Sequence, residues 1–392
     1  MKFIGSCFFA FLLVLFSFKG NTQSVITNQQ IVNLAIQKSP TLKKSDLAIL
    51  QQKQLLKTSI NIPNLEVFFE SPTGDFYTGS YTQSFEFPTV YKNQYQIQKQ
   101  RIVQAEKEKK VSINDVKLQI NILYLGAQYY QSLITHLQFQ DSLYKSIADN
   151  SQRQFNAGQI NFLQNSFALN KYGELHNEFE QTKTLYEGYL SLIKKLSGIE
   201  KIEKVEILKK NNFQSNLPMI NTNALIDLLK QNEQISNTNV QLQKSKALPG
   251  FALGYFNQGY QSTLFQNRFR VGITLPIWFW QYSNNIKAAK TEVEKSKAET
   301  ESYLFNLDVD IQKAFTVYNA ALQGVKYFET TGLKVSDEMI KASKRFFEAG
   351  ETDYINFLRN ISDAFDVQKK YLMEVEKLNK SILELQYLTG QL

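Results

Sequence analysis

Apolar positions along the chain follow two rhythms. From Thr89 toward Phe155 they recur at alternating steps of three and four: Ile113, Val116, Ile120, Leu123, Ala127, Tyr130, Ile134, Leu137, then Tyr144 and Ala148. That spacing predicts one uninterrupted helix of ~67 residues, roughly 100 Å long at 1.5 Å per residue. A second stripe, Leu118, Ile122, Leu125 and Tyr129, runs beside the first. Two adjoining stripes require a neighbouring helix on each side. Elsewhere the period drops to two. Phe269, Val271, Ile273 and Leu275 alternate with Arg268, Arg270, Gly272 and Thr274, and Tyr81, Gln83, Phe85 and Phe87 alternate with Thr82, Ser84 and Glu86. These are strands with one apolar and one polar face, the pattern of a solvated antiparallel sheet and equally of a membrane barrel.

The rhythm is written twice. "FNAG" (Phe155–Gly158) and "FEAG" (Phe347–Gly350) are offset by 349 − 157 = 192, and "KLSG" and "YLTG" by 390 − 198 = 192. The last helix carries Tyr354, Phe357, Ile361, Ala364, Gln368, Tyr371, Val375, Leu378, Ile382 and Leu385 at the same spacing. An internal duplication follows. Its plan gives a signal (1–22), a first repeat (23–198), an inter-repeat, equatorial linker (199–222) and a second repeat (223–392). The first repeat opens with a helix over 28–60, followed by a β-hairpin (62–88) and a helical hairpin (89–198) turning near 157–158. In the second, a helix over 224–246 leads to a β-hairpin (248–278) and a helical hairpin (280–390) turning near 349–350. A helix of this length needs another running back along it, and Gly158 and Gly350 supply the backbone freedom for the two turns.

Composition agrees with long elements: 392 residues hold only 7 Pro and 17 Gly, against 29 Phe and 20 Tyr. The net charge of +8 lies in no dense basic block, so nucleic acid is not an expected partner. Lys2 and the apolar run Cys7–Phe18 read as a secretory signal rather than a membrane span. Cys7, the only cysteine, lies at the start of that run, where no lipid anchor is expected.

Chemistry is sparse. His136 and His176 stand on helices with no second ligand at metal-binding spacing, and neither a phosphate loop nor a nucleophile motif is present. The expectation is a protein that is not an enzyme, with no cofactor and no metal site. Trp278, Phe279, Trp280 and Tyr282 fit an interfacial aromatic girdle and fit core packing equally well. Arg268 and Arg270 are candidates for a barrel lumen. Four strands cannot close a barrel, because the smallest closed ones have about eight; in lipid, three copies would be needed, supplying 3 × 4 = 12.

With the start "LAIQKSPTLKKSDLAILQQKQ" (Leu34–Gln54), the duplicated helix–hairpin–helix plan and the two tips, the sequence resembles the TolC family of outer-membrane factors over essentially the whole mature chain. Its length is more similar to the heavy-metal-efflux branch. The resemblance implies a mostly α fold with a small antiparallel β part. It also implies a homotrimer with a shared 12-stranded barrel in outer-membrane lipid and a long periplasmic helical tunnel. The implied function is a passive channel of a tripartite efflux system, fed by an inner-membrane pump through a periplasmic adaptor, the membrane fusion protein. Outer-membrane duty in type I protein secretion is the alternative within the family, and a soluble periplasmic coiled-coil scaffold the alternative outside it. By resemblance, Phe155, Ala157, Gly158, Phe347, Ala349 and Gly350 match the adaptor-docking tips. The periplasmic gate falls at Asn356 and Arg359, where some members carry acidic residues, with Glu351 and Asp353 as nearby sources of negative charge.

Overall fold

Proline and capping residues set where the elements begin. In the computed structural model, which describes residues 27–71, 78–202, 204–213, 223–257, 264 and 268–392, the helical pattern over 28–60 is divided. Helix α1 (Asn28–Lys38) stops at Ser39, and α2 (Pro40–Leu56) starts immediately after it. The cause is local: Pro40 holds Ser39 in extended backbone (φ −62°, ψ 121°), and the Ser39 hydroxyl then accepts from the Leu42 N–H. The expected signal (1–22) lies outside the described residues, as do parts of both hairpin loops and of the 199–222 linker.

Helix α3 (Pro88–Asn156) is continuous for 69 residues, about 100 Å. Pro88 occupies its first turn, where a missing N–H costs nothing. Helix α4 (Phe162–Ser197) returns along it. After α5 (Ala224–Lys246), helix α6 (Phe279–Tyr327) descends toward the second tip and α8 (Tyr354–Leu388) returns. The second descending rod differs from the first. A five-residue π turn, Phe328–Gly332, joins α6 to α7 (Leu333–Glu348). Gly332 is buried there, and a Cβ on it would lie 2.8 Å from the Phe328 ring.

Strands β1 (Glu66–Glu70), β2 (Thr78–Phe85), β3 (Gly250–Phe256) and β4 (Phe269–Thr274) are shorter than the sequence ranges suggest. They form one antiparallel sheet in the order β1-β2-β3-β4, with β1 and β4 as open edges. One strand pair comes from each repeat, joined at β2–β3.

The first predicted seam runs through the observed cores, whereas Ile122 of the second is exposed. Ile120 and Ala127 pack with Ile31, Ala35 and Ile193 midway along the rods, while Tyr144 meets Tyr354, Phe357, Leu358 and Ile361 nearer the tips. At Gly126 a Cβ would collide with the Tyr189 ring, so glycine lets α3 and α4 approach closely. The described part of the linker is a strap rather than a slack connection. Ile202, Val205 and Leu208, every third residue, are buried, and the Leu208 N–H donates to Ser132 Oγ at 2.9 Å. Asn379 fastens its end, accepting from the Asn211 N–H (2.9 Å) and donating to the Lys209 carbonyl (2.7 Å). A period of three matches neither helix nor strand, which is why the pattern alone shows no element there.

Candidate functional site

Two regions are built for contact with something outside the chain. The first is the sheet. Register places Val67, Tyr81, Tyr255 and Phe269 in one row, with Gln83, Leu253 and Val271 in the next and Phe85, Phe251 and Ile273 in a third. All these side chains share one face. No helix covers it: Val271 is 81% exposed and Phe69 79%. Tyr81 and Tyr255 stack at 5.5 Å across the central strands. Below them Ile60, Ile62, Tyr91 and Pro88 extend the apolar surface into an open cleft of about 660 Å³. The opposite face is mostly polar or small, with Thr82 beside Gly254 and Ser84 beside Ala252, and Phe68 and Phe256 on either side of Ser80.

Arg270 reaches this polar face at the β4 edge, whereas Arg268, just before β4, turns to the other side and donates to Tyr255 Oη at 3.3 Å. The Arg268 Nη1 donates to Asn257 Oδ1 at 2.9 Å, and the Arg270 guanidinium lies 4.1 Å from the centre of the Phe256 ring. Of the two roles open to the aromatic run after β4, core packing does not hold. Trp278, Phe279 and Trp280 are exposed, with the two indoles edge-to-face at 5.1 Å.

The second region is the pair of helical tips. Gly158 (φ 71°) and Gly350 (φ 76°) are left-handed, as are Gly198 and Gly390, and the pairs keep the 192-residue offset. At the first tip the Gly158 N–H donates to the Phe155 carbonyl and the Gln159 N–H to that of Gln154; Gly350 and Glu351 repeat the pattern on Phe347 and Phe346. This is the Schellman arrangement, which satisfies the last carbonyls of each rod. Ala157 and Ala349 are the exposed capping residues.

Phe155 and Phe347, matched to the docking surface by resemblance, turn partly inward. Phe347 stacks on Phe357 at 4.5 Å, and Phe155 meets Phe162 edge-to-face at 6.3 Å. The side chains that face outward are Phe162, Leu163 and Phe346, which motif reading passed over. The repeat itself exposes the difference: Phe162 is 66% exposed, whereas its 192-residue counterpart Tyr354 is 7% exposed beneath α3.

The four positions expected at a gate divide by local structure. Asp353 caps α8: Oδ1 accepts from the Asn356 N–H at 2.9 Å, and Oδ2 from the Asn356 side chain at 2.5 Å. Those hydrogen bonds, the Asn356 N–H first, hold the Asp353 carboxyl below its ordinary range, helped by Arg359. Asn161 and Gln164 form the matching capping box at the first tip, so Asp353 and Asn356 are committed to starting a helix. Glu351 and Arg359 remain exposed beside them.

His176 is exposed and paired with Asp141 at 2.8 Å. His136, on α3, is half-buried against α8, edge-to-face with Phe365 at 5.7 Å, its Nε2 3.3 Å from the Phe365 carbonyl. Burial lowers its pKa; the Phe365 carbonyl opposes the shift, Lys369 adds to it, and Glu178 and Asp366 pull back. The unfolded chain then takes up a proton near 6.5, where the folded chain does not. This contribution to stability is present above that pH and is lost as pH falls below it. The thermal midpoint of the helical signal should drop between about pH 7 and about pH 5, and drop less in His136→Gln. An unchanged slope in that variant would assign the effect to carboxylates. Among the described residues, no three His, Cys, Asp or Glu side chains gather as a metal site, and no helix is long and apolar enough to cross a membrane.

No protein-family model matches the sequence, and no curated protein matches it significantly. Solved structures do match in fold. A membrane protein from Pseudomonas aeruginosa aligns with a TM-score of 0.79 at 14% identity, covering 93% of this chain and 91% of its own. CusC, whose structures concern folding and transmembrane channel formation, aligns at 0.77 and 13% identity, covering 93% of each chain. The outer-membrane channel CmeC of Campylobacter jejuni covers all of this chain, and 94% of its own, at 0.75 and 15% identity. Four strands from two hairpins, set on two long helical hairpins that share one repeat, give this chain the fold of the TolC-type outer-membrane channels.

Proposed function

We propose that this chain is one third of a passive channel in the outer membrane of a Gram-negative cell. Three copies would pool twelve strands into a barrel and place their helical hairpins side by side as a periplasmic tunnel. One observation carries the reading: a four-stranded sheet whose apolar face is uncovered and whose two edges are open. Such a sheet is stable in lipid only when its edges are paired, and only another copy offers matching strands. The uncovered face also weighs against the soluble scaffold, in which a hairpin would bury it on the helices.

The solved structures of similar fold include outer-membrane channels, and by that analogy the partners are a periplasmic adaptor and an inner-membrane pump. Energy would come from the pump, and the tunnel would open when the adaptor engages the tips. Nothing is asked of the side chains beyond lining a path, so no catalytic step is assigned. Export of small solutes or metal ions is the reading proposed, with protein secretion as the alternative.

The test is to extract the protein from membranes in mild detergent, weigh the complex and record it in a planar bilayer. The expected result is a conducting species of about 130 kDa, three chains of 45.3 kDa less their signals. A non-conducting monomer that stays in the aqueous phase would overturn the reading.

A further inference from the structure

The polar face of the sheet carries its charges only on the two edge strands. β1 presents Glu66 and Glu70, and β4 presents Arg270. Between them, β2 offers Thr78, Ser80, Thr82 and Ser84, and β3 Gly250, Ala252, Gly254 and Phe256. Negative charge marks one edge and positive charge the other.

The two edges cannot reach each other within a chain. Glu66, Thr82, Gly254 and Arg270 form one row, so the acid and the base stand three strand spacings apart, about 14 Å. Among the described residues neither Glu66 nor Glu70 has an ion-pair partner. Arg270 is held over Phe256, which leaves its in-plane N–H edge as the donor. Because every pairing in the sheet is antiparallel, a strand added outside β4 runs in the direction of β1. The β1 of a second copy would then bring its glutamates to the same face as Arg270.

We infer that these edge charges sort the association of copies: β4 of one chain pairs with β1 of the next, with Arg270 facing Glu66 and Glu70 across the seam. This rests on the channel reading above and adds the device that selects its geometry. Two-fold pairing of β1 with β1, or β4 with β4, opposes like charges directly, which destabilises a strand pair. Head-to-tail pairing opposes unlike charges at every seam and leaves no unsatisfied edge once the ring closes. The stagger that barrel closure imposes decides which glutamate meets Arg270. Arg270 is consequently a seam residue, neutralised across the seam, rather than part of an anion-selecting ring.

The test uses the full chain in membranes and three variants: Glu66→Lys with Glu70→Lys, Arg270→Glu, and all three substitutions together. Each of the first two variants places like charges at all three seams and should shorten the lifetime of the trimer in warm detergent about tenfold. The triple variant restores unlike charges with their sides exchanged and should recover to within about threefold of the native chain. If the first two match the native chain, or the triple variant is as weak as they are, the seam pairing is wrong while the channel stands. If the native chain forms no trimer, the channel reading fails together with it.

Discussion

Val271→Arg should remove the trimer from the outer membrane, while Ser80→Arg should leave it in place. The two positions lie on opposite faces of one sheet: Val271 is level with Leu253 on the apolar face, and Ser80 is level with Phe68 and Phe256 on the other. On a lipid-facing position an arginine near the bilayer midplane costs about 2–4 kcal/mol, and threefold symmetry repeats that cost in every barrel. A total of roughly 6–12 kcal/mol is comparable to the whole stability of an ordinary domain. On the interior face the same side chain stays in water, next to rings on which it can stack. The readout is the amount of heat-resistant trimer in the outer-membrane fraction. Equal survival of both variants would mean that the apolar face meets protein rather than lipid, and the barrel would have to be abandoned.

Both faces were legible in the sequence because a strand keeps its period of two whatever surrounds it. The duplication was legible for a related reason. Left-handed backbone at Gly158, Gly198, Gly350 and Gly390 strongly favours glycine, so the helix ends stayed marked in both copies. The break at Ser39 had a signal, Pro40, which the apolar pattern running through it outweighed. The π turn at Phe328–Gly332 had none that could be read locally. It is fixed by how Gly332 fits between Phe328 and Val367, a contact with α8.

The tips show the limit most clearly. A repeated phenylalanine marks a repeated conformation, and Phe347 is repeated because it packs into the turn, on Phe357 and Tyr354. Surface available to a partner is a tertiary property. Phe162 and Tyr354 are related by the same offset, yet only Tyr354 has α3 over it, its hydroxyl donating to the Ile147 carbonyl at 2.9 Å. Likewise the gate positions could be aligned from the motif, whereas the capping of α8 by Asp353 had to be seen in its hydrogen bonds.

That division between turn-making and partner-facing residues shapes the other large effect expected, at the tip glycines. Gly158→Asn with Gly350→Asn, and separately Gly158→Val with Gly350→Val, should each reduce export while the trimer remains in the membrane. No atom lies within 4 Å of a Cβ built at either position, so the new side chain meets open space and not the protein. What remains is backbone strain. Asparagine visits the left-handed region readily, whereas a typical L-residue pays roughly 1–2 kcal/mol there and a β-branched one more. Neither sum threatens a rod pair held together along α4 and α8 by buried seams. Both variants, however, raise a side chain into the open space at the tip, where a docking adaptor hairpin would have to sit. A lost contact of about 1.4 kcal/mol is a tenfold loss of affinity, and more is expected at the centre of an interface. Export of a transported solute from whole cells, measured beside the trimer content of their outer membranes, separates the causes. Loss with both substitutions points to occlusion of a docking surface. Loss with valine alone would make the turn itself the essential feature, and full export with both would remove the tips from the mechanism.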